Sequence, residues 1–139
     1  MIIRNIHYND FDKNLIQLYN QLSYCSIIDK NIFKFFLEKL NDEHNIFVVE
    51  YNNKIIAAIT YFIETKIIRD MGKVLHIEDL VVDKEYRNKH LGKKLIEKTI
   101  EIGKKNNCYK IILNCSKDYI NYYEKFGFKL KNNQMAIYF

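Results

Sequence analysis

The chain has no proline and only four glycines among its 139 residues, so no Pro/Gly-rich linker interrupts it. One domain over residues 1–139 is expected, long enough to bury a core. No self-similarity at a solenoid period is present. The three cysteines, Cys25, Cys108 and Cys115, are odd in number and lack Cys-x-x-Cys spacing. This argues against a disulfide framework and a metal site, leaving buried thiols as the expectation. No apolar run approaches the roughly 18 residues that suggest a membrane span. The N-terminus lacks a basic segment followed by an apolar one, so no membrane and a cytoplasmic location are expected. A net charge of +5, spread along the chain, gives no nucleic-acid footprint but suits an anionic ligand. With 48% hydrophobic and 28% charged residues, the composition is that of a folded globular domain.

The most informative stretch runs from His76 to Lys93. Ile77 to Val82 is β-rich and apolar apart from Glu78 and Asp79, and a basic loop then enters a helical pattern at Leu91. A strand thus delivers the chain to a cationic helix start. Amides at a helix start lack partners within the helix, and the peptide dipoles add positive charge there. Arg87, Lys89, Lys93 and Lys94 surround that point, a setting that suits a diphosphate. A solvated basic turn has the same composition, and the loop alone does not separate the two.

The remaining pattern gives an ordered set of elements. Ile2 to Ile6 reads as a strand, and Asp10 to Leu22 as one helix with Phe11, Leu15, Leu18, Tyr19 and Leu22 on its apolar face. Gln21 and Ser23 at its end are either helix-end residues or substrate contacts. Asp29 caps a second helix, whose expected buried stripe is Ile32, Phe35, Phe36, Leu37 and Leu40. Ile46 to Tyr51 and Ile55 to Thr65 form a hairpin about Asn52-Asn53, and the strand ending at Val82 continues an antiparallel meander. Leu91 begins an amphipathic helix ending near Gly103 to Asn107, so Cys108 to Leu113 is a parallel strand reached by a right-handed crossover. Lys117 to Phe126 is a short helix stopped by Gly127, and Phe128 to Leu130 with Met135 to Phe139 makes a last hairpin.

This order resembles the GNAT superfamily of acetyl-CoA-dependent N-acyltransferases. The segments His76-Ile-Glu-Asp-Leu-Val-Val-Asp, Tyr86-Arg-Asn-Lys-His-Leu-Gly-Lys-Lys-Leu, Cys108-Tyr-Lys-Ile-Ile-Leu-Asn-Cys and Tyr122-Tyr-Glu-Lys-Phe-Gly-Phe look like the glucosamine 6-phosphate N-acetyltransferases within it. Weaker similarity in Gln17-Leu-Tyr-Asn-Gln-Leu-Ser and Phe62-Ile-Glu-Thr-Lys-Ile-Ile extends the resemblance over nearly the whole chain. The resemblance implies an α+β fold: a mixed, mostly antiparallel sheet with a splayed parallel strand pair, flanked by about four helices. It implies acetyl-CoA as acetyl donor, no metal, an amino-sugar phosphate acceptor and a homodimer. Leu80, Val81 and Val82 would then meet the cofactor's arm, and the amides from Arg87 through Asn88, Lys89, His90, Leu91 and Gly92 to Lys93 its diphosphate. Asn121 and Tyr123 would face it from the helix that follows the second parallel strand. The superfamily usually carries glycines where this chain has Asn88 and His90; asparagine visits positive φ, so weakened pre-organisation is the expectation.

Acetyl transfer to an amine needs a neutral nucleophile, a polarised thioester carbonyl and a proton for the departing thiolate. The family's acid maps onto Tyr123, with Tyr122 as its packing neighbour. Amides of Leu80 to Val82 would polarise the carbonyl. Glu78 and Asp79, expected to alternate sides of a strand, would fix the sugar's hydroxyls and amine. Ser23, Lys66 and Lys110 are candidates for the acceptor's other groups. Known amino-sugar acetyltransferases carry an acid where Asn114 stands here and basic residues near the C-terminus, whereas this chain ends Met135-Ala-Ile-Tyr-Phe. Another acceptor amine (peptide, lysine or polyamine) and a catalytically silent acyl-CoA-binding module are the alternatives.

Overall fold

Five strands form one sheet in the order β1-β2-β3-β4-β5 in the computed structural model, which describes residues 1–27 and 29–139. The strands are β1 Ile2–Asn5, β2 His44–Tyr51, β3 Lys54–Thr65, β4 Lys73–Val82 and β5 Cys108–Ile112. The first four are antiparallel neighbours, and β5 lies parallel to β4. Asn52 and Asn53 turn the β2–β3 hairpin at φ of 48° and 57°, the conformation that asparagine tolerates. The helices are α1 Leu15–Tyr19, α2 Lys30–Leu37, α3 Leu91–Lys105 and α4 Ile120–Glu124, with a helical turn at Ile68–Met71 between β3 and β4. The sheet class, the meander and the parallel crossover agree with the expectation.

Two apolar layers hold these elements. Residues of one sheet face, including Phe47, Val49, Ile59, Leu75 and Ile77, pack under Leu91, Leu95 and Ile96 of α3. On the other face Ile46, Val48, Ala58 and Val81 pack with Leu15 and Leu18 of α1 and Phe33 of α2. At roughly 25 cal/mol per Å² of apolar area buried, each such side chain contributes about 1.5–3 kcal/mol. These layers therefore fix where the strand ends lie.

Four expectations require correction. The single helix over Asp10 to Leu22 is divided into a 3₁₀ turn, Tyr8–Asp12, and α1, because Asn14 adopts φ 68° between them. Asp10 is also held away from a regular helix: its fully buried carboxylate accepts from the His7 amide at 2.7 Å and pairs with Arg4 at 2.6 Å. On α2, Asp29 does cap the helix by accepting from the Asn31 amide. Its buried residue is Phe33, packed 5.4 Å from the Phe11 ring, while Ile32, Phe35 and Phe36 are exposed. Apolar side chains stand around most of that short helix, so their spacing alone does not single out the inward face. The last hairpin is absent: residues 128–139 form neither strand nor helix and are largely exposed. Finally, no cysteine is fully buried; Cys25 and Cys108 are intermediate and Cys115 is exposed.

Candidate active site

β4 keeps its parallel partner for only part of its length. It pairs with β5 over Lys73 to His76, whose last partner is Ile112, and from Ile77 to Val82 it has β3 alone. Backbone groups on that side of β4 are left without a strand to bond, an open edge in the middle of the protein. The register with β3 slips between Ala58 and Thr60, where β4 carries one extra residue, and Asp79 takes φ 49°. This bulge overrides the strict alternation expected of Glu78 and Asp79. Both side chains are exposed at the splayed end of the sheet, so neither carries a burial penalty.

The chain leaves this edge through a braced loop. Asp83, buried at 2% exposure, accepts from the Glu85 amide at 3.0 Å and pairs with Lys54 at 3.3 Å. Burial acts to raise the Asp83 carboxyl, but the Glu85 amide and Lys54 outweigh it and hold the group below the usual carboxylate range. Gln21 accepts from the Lys84 amide at 2.9 Å, tying the end of α1 to the same loop. Arg87 donates back to the Val82 carbonyl at 3.3 Å, and Lys89 lies 4.8 Å from the Tyr86 ring centre.

Asn88 and His90 then adopt φ of 63° and 58°, the left-handed conformation for which the superfamily's glycines are suited. Their residues keep that backbone without the glycines. Leu91 and Gly92 begin α3, a fifteen-residue helix whose first amides follow directly on this loop. Gly92 allows a close approach: a Cβ there would lie 2.8 Å from Oη of Tyr122, whose ring would have to shift. Lys93 is exposed and 3.8 Å from Glu97. Together, an open strand edge, left-handed turns and a helix start form a continuous backbone surface able to receive an extended, anionic molecule.

On the facing side, β5 ends at Ile112 and leads past Asn114 and Cys115, both exposed, to α4. Tyr122 and Tyr123 both pack against the α3-side core, with ring centres 5.2 Å apart, and Phe128 stands 6.0 Å from Tyr123. Burial pushes the Tyr123 phenol up to about 12, with smaller contributions from Tyr122, Cys115 and Tyr119. The phenol therefore keeps its proton at neutral pH. Asn121 precedes them on the exposed side of α4, and Gly127 ends that segment at φ +91°.

The structure divides the remaining sequence-chosen residues into two groups. Leu80, Val81 and Val82 share the splayed strand with Glu78 and Asp79, and Ser23 closes the turn after α1 by donating its amide to the Tyr19 carbonyl. Lys66 and Lys110 belong to the paired end of the sheet. Lys66 is bound to Glu64 at 2.9 Å, and Lys110 is exposed opposite Val74. Asn114 lies four positions after Lys110, just past the end of β5 at Ile112, about 13 Å along extended chain. The sequence reading missed Asp83 and the tie from Gln21. Asp83 had a signal, an acid at the end of a strand that caps the turn Lys84–Tyr86; the other depends on distant packing. Among the described residues no group of three or more His, Cys, Asp or Glu side chains could hold a metal ion, and no helix is long and apolar enough to cross a membrane.

A backbone test follows from His90. At a left-handed position glycine is preferred over alanine, whose Cβ costs about 1 kcal/mol or more there. His90→Gly is expected to melt at least about 3 °C above His90→Ala in matched thermal unfolding; the reverse order would mean that residue 90 does not hold this conformation in solution.

The chain matches the acetyltransferase (GNAT) family over residues 9–128. Glucosamine 6-phosphate N-acetyltransferase of Arabidopsis thaliana is 40% identical over 142 residues, covering 99% of this chain and 95% of that protein. Glucosamine 6-phosphate N-acetyltransferase 1 of Dictyostelium discoideum is also 40% identical, covering 97% of this chain and 88% of its own length. A crystal structure of the Arabidopsis thaliana enzyme superposes with a TM-score of 0.96 at 38% identity, over 99% of this chain and 97% of that one. With a matching family model over most of its length, relatives that share its full span and the splayed sheet described above, this chain belongs to the GNAT family of acetyltransferases.

Proposed function

We propose that the protein transfers the acetyl group of acetyl-CoA to the amine of glucosamine 6-phosphate, in a complex that holds both substrates at once. The observation that carries this reading is the whole-chain identity of about 40% to enzymes bearing that activity in their names. The backbone surface from Leu80 to Lys93 supports it chemically. The open β4 edge offers bonds to an amide-bearing arm, and the loop from Arg87 through Asn88 and Lys89 to His90, with the start of α3, offers amides and charge to a diphosphate.

In the proposed reaction the neutral amine attacks the thioester carbonyl. The C–N bond forms, the C–S bond breaks, and the amide product leaves with free CoA thiol. Amides of Leu80 to Val82 hold the carbonyl oxygen as negative charge grows on it. Tyr123 gives its phenolic proton to the departing sulfur and is later reprotonated from solvent. Asn114 orients the amine through its carboxamide but accepts no proton, so the amine's proton leaves through water to solvent. Glu78 and Asp79 accept from the acceptor's hydroxyls and amine, while Ser23, Lys66 and Lys110 remain candidates for its outer groups.

The same reading includes a homodimer. The tail after α4 carries Leu130, Met135, Ile137 and Phe139 into solvent, with Met135 94% and Ile137 82% exposed. Apolar side chains in series on an unpaired segment favour burial against another surface, and β5 lies at the edge of its own sheet. A second copy, crossing near β5, would bury both and bring partner groups toward the Lys66–Lys110 end. Three unpaired cysteines fit a reducing, cytoplasmic setting.

Thiol release from acetyl-CoA, compared among glucosamine 6-phosphate, glucosamine, spermidine and a lysine peptide, tests the substrate. Preference for the phosphosugar is the expected result. Turnover with another amine alone replaces the acceptor, and cofactor binding with silence toward all four replaces the enzyme by an acyl-CoA sensor. Tyr123→Phe is expected to slow turnover about 10- to 100-fold with little change in the acetyl-CoA KM. Because the donor is the protonated phenol and its pKa is raised to about 12, it is present below that value and lost above it. Wild-type turnover should therefore show no alkaline fall from this group up to about pH 10, the ordinary tyrosine value. Full activity of Tyr123→Phe would remove the phenol from the mechanism.

A further inference from the structure

Asp83 is a buried charged residue, 2% exposed, at the point where β4 ends and the loop toward α3 begins. Each of its polar groups holds that junction. Its amide donates to the Ile56 carbonyl of β3 at 2.9 Å, and its carbonyl accepts from the Tyr86 amide at 2.8 Å. One carboxylate oxygen accepts from the Glu85 amide and caps the turn Lys84–Tyr86; the other lies 3.3 Å from Nζ of Lys54, at the start of β3. Lys54 also stands 3.8 Å from Glu85 and 5.7 Å from the centre of the Tyr86 ring. Tyr51 of the same hairpin meets that ring edge-on, with centres 6.1 Å apart. The turn that leads into Arg87 is thus fixed to the β2–β3 hairpin.

A buried ion pair adds little to stability, because the desolvation of both charges offsets their attraction and apolar side chains of similar volume serve as well. What the pair contributes is geometry, and the geometry it sets is that of the loop. Asn88 and His90 follow within that loop at φ of 63° and 58°, each with a Cβ in place. A residue with a Cβ is less favourable in that conformation than glycine, so the backbone keeps it only where its surroundings over-determine it. Here those surroundings are the Asp83 cap, the pair with Lys54, the Lys84 amide bonded to Gln21 and the Arg87 side chain bonded to the Val82 carbonyl. Of these, Asp83 alone joins the end of β4, the turn and the hairpin at once.

We propose that Asp83, paired with Lys54, is a positioning residue for the cofactor. It holds the loop from Arg87 to His90 in the left-handed shape that presents backbone amides to a diphosphate, and so supplies what glycines at residues 88 and 90 would supply by preference. This rests on the acetyl-CoA reading of the site. Asp83 lies beneath the turn and acts through the loop, not on the ligand. Without the pair, the fraction of molecules whose loop is in the receptive shape falls, and the apparent affinity for the cofactor falls by the same factor.

The double variant Asp83→Asn with Lys54→Met removes both charges together, leaving neither one unpaired, so its Tm is expected to stay close to that of wild type. Titration calorimetry with acetyl-CoA alone needs no acceptor. The double variant is expected to bind acetyl-CoA about 3- to 30-fold more weakly than wild type. Glycines supply the second readout: adding Asn88→Gly and His90→Gly should improve binding several-fold more in the double variant than in wild type, a response that general loss of structure would not give. Asp83→Asn alone, which keeps the capping oxygen, carries the same comparison where the double variant does not fold. Unchanged acetyl-CoA binding in the variants overturns the proposal, as does weakened binding on which the glycines act no more than they do in wild type. The two readings fail separately. Wild type that binds no acetyl-CoA discards the cofactor reading and this proposal with it, whereas wild-type binding that the variants share discards the role of Asp83 alone.

Discussion

The structure depends on β4 losing its parallel partner after His76 while keeping its antiparallel one. A strand needs bonds on both sides to be buried without cost, so the half from Ile77 to Val82 is tolerable only at an edge or against a ligand. The α3 layer keeps it where it is: Leu91, Leu95 and Ile96 are packed under the same cluster as Ile77, so β4 cannot swing away to meet β5. The crossover from Val82 through α3 to β5 then sets α4 and its tyrosines across the gap. Geometry that leaves backbone groups free is thereby held by apolar packing that costs nothing at the site.

The bulge at Asp79 has a comparable role at the splayed end of β4. One extra residue in β4 turns two adjacent acids outward together instead of to opposite faces. Had the alternation persisted, one carboxylate would lie toward a packed layer. The bulge avoids that penalty and places acid, strand end and the tip of α1 next to one another. Asn88 and His90 repeat the pattern in the loop before α3, with side chains that tolerate left-handed backbone where the superfamily usually carries glycines that adopt it freely.

Much of this was legible in the amino-acid order. Strand and helix succession, the Asn52-Asn53 hairpin and the basic entry to α3 are local, and local periodicity and turn chemistry reveal them. The division of the first helix was not, because it rests on Asn14 and on Asp10 being captured by Arg4 from another element. The inward face of α2 was hidden by apolar residues on most of its sides. The last residues read as a hairpin by composition, yet they lie outside regular structure and are largely exposed. At the site, Tyr123 was reached through the family resemblance, and the loop from Arg87 to Lys93 through the basic charge around a helix start.

Amide hydrogen exchange, followed with and without saturating acetyl-CoA, addresses the central constraint most directly. The account predicts new protection over Leu80 to Gly92, where β4 lacks its neighbour and α3 begins, with β1 to β3 unchanged. Bound cofactor that leaves those amides exchanging as before, or that protects the paired Lys73 to His76 half instead, would contradict it.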